Sequence, residues 1–151
     1  MRTLFAVAVF ALTTLFAASP AHAEQQPVHT ALLSHVAVGG YDPVAYFTDG
    51  RPVRGVSQFS ITHQGYEYRF ASAEHLAAFR ANPSHYLPQY GGYCAWAVAH
   101  GYTAAGNPQN WRIVDGRLYL NYNDDIQRRW EADIPGFIRS ANANWPSVLS
   151  R

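Results

Sequence analysis

Cys94 is the single cysteine in 151 residues, and a lone thiol is the most distinctive reactive group in the chain. Gly91 and Gly92 precede it, and the apolar run 93–99 reads as part of a helix. If that helix opens near residues 90–92, the thiol lies in its first turn, where free amides and the helix dipole stabilise a thiolate. Such a thiolate can ligate a soft cation or attack a disulfide. The same run is apolar all round, which marks a buried helix in which cysteine serves as an inert small hydrophobe. Both readings stand on the sequence. His75, one helical turn after Ser72, is the histidine best placed to join Cys94 as a nitrogen ligand; its alternative role is a polar-face or cap histidine.

The remaining candidates are weaker. His63 falls at a turn and is expected to face solvent, His85 and His100 follow helices and suit a C-terminal dipole, and His29 and His35 fall in or beside the N-terminal leader. None has the i, i+4 spacing of a helical metal site. A Cys–His–Asp grouping can be assembled from Cys94, His75 or His100, and Asp42, but no nucleophile elbow, zinc-protease or phosphate-loop motif supports it. Tyrosines flank two glycines in Tyr90-Gly91-Gly92-Tyr93, where glycine allows close backbone approach. With Tyr41 and Asp42, that turn is the expected ligand pocket, because Tyr offers an apolar body and a polar tip. The alternative destination for these rings is the core.

These residues must be positioned by short elements. Asp42 can cap and Pro43 suits a first helical turn, with Asp49-Gly50 as the stop. Residues 57–62 and 66–70 alternate apolar and polar across 63–65 and read as a hairpin. Ser72 caps a helix that carries Leu76 and Phe79 inward and stops at Asn82-Pro83. A single turn follows over 83–87, and Pro88 is expected to open a helix through Val98, closed by Gly101. Residues 106–108 read as a loop. Asp115-Gly116 between two β-favouring runs is the clearest hairpin signal. Asn123 or Asp124 caps the next helix, and Pro135 starts another that ends before Trp145. No repeat is visible. The layout is α+β: a small single domain with two β-hairpins and several short helices.

The N-terminus carries one charge, Arg2, before an apolar run over 4–18 and an Ala21-His22-Ala23 exit. Those are the parts of a cleavable signal peptide over 1–23, and the run is too short for a spanning helix. The expected product is periplasmic or secreted, with a flexible leader at 24–35, a domain over 36–149 and no transmembrane segment after cleavage. Apolar residues are 48% of the chain, which excludes disorder for most of it. All 11 basic residues are Arg, balanced by 10 acidic ones, so nucleic acid or an anionic membrane has no electrostatic footprint here.

Residues 41–87 resemble the YHS domain family. Asp42-Pro43-Val44, Tyr68-Arg69-Phe70-Ala71-Ser72, and Phe79, Pro83, Tyr86 and Leu87 stand at the family's spacing. The segments 88–95 and 113–123 are similar to a longer exported bacterial branch of that family. The resemblance implies a YHS-like (TRASH-like) core with a C-terminal helical extension, and a metal context. Where the metal-type pattern has three cysteines, this chain has Ala45, Ala71 and His75. The resulting expectation is a non-enzymatic exported binding protein handling copper or zinc through Cys94 and His75. The alternatives are an interaction module for a protein or small ligand with a degenerate metal site and, third, a thiol-dependent enzyme using Cys94.

Overall fold

A computed structural model describes residues 24–151, so the signal-peptide reading over 1–23 lies outside the described residues. Two tight turns organise the chain. Gln64-Gly65 and Asp115-Gly116 take left-handed backbone at both central positions, with φ of 51° and 86°, and of 50° and 73°. That geometry matches the natural twist of an antiparallel pair. Around the first turn β1 (Val56–His63) pairs with β2 (Tyr66–Phe70), and around the second β3 (Asn107–Val114) pairs with β4 (Arg117–Asn121). The hairpins remain two separate two-stranded sheets. Each first strand carries a register shift, between Val56 and Ser60 and between Asn107 and Trp111. The residues expected as a loop at 107–108 are thereby drawn into β3.

The helices are short: α1 (Ala45–Thr48), α2 (Ala73–Ala81), α3 (Pro83–Tyr86), α4 (Ala95–Ala99), α5 (Asp124–Glu131) and α6 (Ile134–Asn144). Ser72, Asn123 and Asp133 each accept a backbone N–H from the first turn of the helix that follows. Such caps are worth about 1 kcal/mol each, which matters for helices too short to hold by propensity alone. The domain is α+β, and among the described residues no helix is long and apolar enough to cross a membrane.

Two hydrophobic clusters lie on either side of β4. Leu118 and Leu120 join Tyr46, Tyr68, Phe70 and Phe79 in the first. Tyr119 joins Tyr90, Val98, Trp130 and Ala141 in the second. The alternation of side chains along a strand sends neighbours to opposite faces, so this one strand serves both cores.

Two segments depart from the sequence reading. No helix runs from Pro88 to Val98. Gln89–Gly92 is a 3-10 turn with left-handed backbone at Tyr90, Gly91 and Gly92 (φ of 55°, 60° and 82°), Tyr93 is extended, and α4 begins only after Cys94. Residues 24–35 are also not a loose leader. Gln25 N–H donates to the Leu149 carbonyl at 2.7 Å and His29 N–H to that of Gly91 at 2.9 Å, while the Tyr93 hydroxyl donates to the Gln26 carbonyl at 2.8 Å. The two departures share one cause. A Cβ at Gly91 would overlap the Pro27 carbonyl, so glycine and its left-handed turn let the leader lie flat across this segment.

Candidate functional site

Asp42 is fully buried at the start of α1. Its Oδ1 accepts from the amides of Val44 (2.8 Å) and Ala45 (3.2 Å), and its Oδ2 from the amide of Ala71 (2.8 Å). The fourth partner is His75 Nδ1, 2.6 Å from Oδ2. Burying an ionised carboxylate is costly unless donors surround it. Four donors do so here, and they bind the entry of α1, the exit of β2 and the first turn of α2 into one hub. His75 is held from a second side, because its backbone N–H donates to the capping hydroxyl of Ser72 at 3.2 Å.

With Nδ1 committed to Asp42, the other ring nitrogen turns outward. Nε2 lies 3.2 Å from the Thr48 hydroxyl oxygen and 3.7 Å from Asp49 Oδ1. The Thr48 hydroxyl lies 2.8 Å from the same Asp49 oxygen. The His75 side chain is 18% exposed and that of Asp49 34%, so this edge of the hub meets the surface. A carboxylate behind an imidazole is the arrangement that fixes the tautomer and direction of a metal-binding histidine, leaving Nε2 free to ligate.

Cys94 lies elsewhere. It is 1% exposed, and its Sγ donates to Asn121 Oδ1 at 3.6 Å. That oxygen also accepts the Trp96 amide at 3.1 Å, and Asn121 Nδ2 donates to Gln127 Oε1 at 2.9 Å. Burial pushes the thiol pKa up, while the amides of Ala97, Tyr122 and Trp96 pull in the opposite direction. A covered thiol of raised pKa is a poor nucleophile and a poor ligand. The polar partners of the Cys94 side chain include Asn121 of β4, and those of His75 are Asp42, Thr48, Asp49 and Ser72, so the two residues sit in separate hydrogen-bond clusters. Among the described residues no three His, Cys, Asp or Glu side chains converge as a metal cluster.

The expected pocket around Tyr90-Gly91-Gly92-Tyr93 is filled by the chain itself. Tyr90 is buried, donates its hydroxyl to Asn142 Oδ1 at 2.8 Å, and has its pKa raised by burial. Gly91 is covered by Pro27. Tyr41 carries the Arg54 guanidinium 4.6 Å above its ring, and Asp42 faces the hub rather than Tyr93. What stays open is a groove of about 660 Å³ between residues 25–35 and Tyr93. His29 tilts against Tyr93 there, with ring centroids 5.3 Å apart, and burial lowers its pKa. At the rim Leu32 and Leu33 are 92% and 99% exposed, with Leu33 in left-handed backbone.

Three other histidines are packed against rings. His63 leans on Tyr68 and Phe79 instead of facing solvent, His85 on Phe47 and Tyr86, and His100 stacks on Trp96 at 3.7 Å. Reading the sequence alone missed Thr48 and Asp49 as neighbours of His75, and Asn121 as the partner of Cys94. The first two carried a signal, since the residues that end α1 must come near whatever its cap touches. Asn121 carried none, because its position opposite Cys94 depends on how β4 docks. No family model, curated protein or solved structure matches the chain.

Proposed function

We propose that this chain is an exported, non-enzymatic binding domain of the YHS type that takes a zinc or copper ion at His75. The observation that carries the reading is the buried Asp42–His75 pair, which turns Nε2 toward Asp49 at the surface. Two donors at 3.7 Å are spaced as neighbouring ligands of one ion with bonds of about 2.1 Å would be. The cysteine-type site of the family does not fit: Ala45 and Ala71 offer only backbone N–H groups, and both donate to Asp42. Nitrogen and oxygen donors favour zinc or copper(II) over a soft cation. With only two protein donors the remaining positions would be filled by solvent, which suits an exchangeable ion rather than a closed structural site. Cys94 takes no part in this reading, and neither does thiol catalysis.

Calorimetric titration with Zn(II) and Cu(II) is the test. The expected result is saturable one-to-one binding, weakened at least about tenfold in His75→Ala and Asp49→Asn and unchanged in Cys94→Ser. No saturable binding by the unaltered protein overturns the reading, as does loss of binding in Cys94→Ser alone. A second reading, an interaction module for a protein or small ligand, draws its support from the exposed Leu32–Leu33 tip beside the Tyr93 groove.

A further inference from the structure

Residues 38–82 and 90–133 repeat each other in backbone geometry, feature by feature and at a nearly constant spacing. Val38, Gly39 and Gly40 have φ of 54°, 57° and 80°, and Tyr90, Gly91 and Gly92 have 55°, 60° and 82°. A left-handed β-branched residue or tyrosine opening such a run is uncommon once, and here it occurs twice. An extended tyrosine follows each run, Tyr41 bridging Arg54 and Tyr93 bridging Ala105. The next amide, of Asp42 or Cys94, donates to the carbonyl of Val53 or Ala104, at 2.8 and 2.9 Å. A glycine then precedes each hairpin, Gly55 and Gly106, and at both a Cβ would overlap backbone.

The match continues through the hairpins. Both have an 8-residue and a 5-residue strand, a left-handed two-residue turn, and a register shift at the same place. Ser72 and Asn123 cap the helix that follows, by accepting the amides of His75 and Ile126. Phe79 and Trp130, at corresponding positions of α2 and α5, are both 0% exposed. Asn82 and Asp133 close the units with the same backbone, φ −152° with ψ of 74° and 67°.

We infer that the domain is a tandem duplication of one unit, in which Cys94 is the counterpart of Asp42 and Ile126 the counterpart of His75. The surroundings of the cap agree. Asp42 takes the amides of Val44, Ala45 and Ala71, and the amides of Trp96, Ala97 and Tyr122 act on the Cys94 sulfur. The second unit thus holds this corner with a neutral thiol and an aliphatic side chain. The architecture therefore accepts two different chemistries at this corner, and the Asp42–His75 pair is what distinguishes the first unit from the second. This does not depend on which ligand His75 meets.

The test copies the second unit into the first. His75→Ile alone leaves a buried carboxylate without its imidazole and is expected to lower the thermal midpoint. The double variant Asp42→Cys/His75→Ile restores the chemistry of the second unit, and its midpoint is expected to lie above that of His75→Ile and near the native value. A double variant at or below the single one, or one that does not fold, overturns the inference. The same protein titrated with Zn(II) reads the binding proposal separately: a folded double variant that still binds zinc as tightly as the native protein removes the pair from the metal site and leaves the duplication standing.

Discussion

Replacing Asp42 by alanine removes the acceptor on which three secondary-structure elements converge. The cap on α1 is lost, at about 1 kcal/mol. The Ala71 amide loses its carboxylate acceptor, and because Ala71 is exposed, water can take part of its place, at about 1 kcal/mol. The imidazole of His75 loses its carboxylate; breaking a buried pair costs about 3–5 kcal/mol, and less here because His75 is 18% exposed and can meet water. These effects overlap, so the expected loss is about 4 kcal/mol, which for a domain of this size lowers the midpoint by about 15 °C. Asp42→Asn keeps the Oδ1 acceptor but sets an NH2 group against the Ala71 amide and His75, and is expected to cost at least about 2 kcal/mol. Urea unfolding followed by tryptophan fluorescence measures both, with an unchanged m-value showing that the effect lies in stability and not in the unfolded ensemble. A loss below about 1.5 kcal/mol for Asp42→Ala would refute the hub as the organiser of this corner.

Three further outcomes are expected. Cys94 in the native protein should resist iodoacetamide at pH 8 and react only after denaturation, since the thiol is covered and its pKa raised; rapid native labelling would show that the Asn121 cluster opens. His29 binds protons less readily when folded than its ordinary value of 6.5, so the unfolded chain takes up more of them as the pH falls through 6.5. The stability it supports is present above that pH and lost below it, and His29→Phe should flatten that part of a midpoint-against-pH curve. Trp130 Nε1 is buried without a hydrogen-bond partner, and its counterpart in the first unit is Phe79. Trp130→Phe should therefore cost less than about 1.5 kcal/mol, well below an ordinary large-to-small core change, because the orphaned donor leaves with the lost volume; urea unfolding decides it.

The hairpins and caps were legible because their causes are local. Asp115-Gly116 needs only its own two residues to accept left-handed backbone, and Ser72 and Asn123 need only the helix beside them. The capping role of Asp42 was legible for the same reason, and so was the inward side of Phe79. The segment 88–98 was misread because its apolar run is compatible with a helix, and what breaks it is the leader lying across Gly91. Pro27 and Gly91 are far apart in the chain, and no local preference announces that they meet. The duplication stayed hidden because the residues that match across the two units are mostly glycines and tyrosines, such as Gly55 with Gly106 and Tyr68 with Tyr119. Those are positions where backbone conformation or shape, rather than chemistry, limits the choice.

The sequence by itself determined the α+β elements, the two tight turns, the helix caps and the presence of one thiol and one well-placed histidine. Only the tertiary structure decided that Cys94 and His75 belong to different clusters, that Asp42 stands behind the imidazole, and that the leader fills the tyrosine turn. The physical reason is distance along the chain. Turn and cap energies depend on neighbours within four residues, whereas hydrogen-bond partnership between buried groups is set by how separate elements dock.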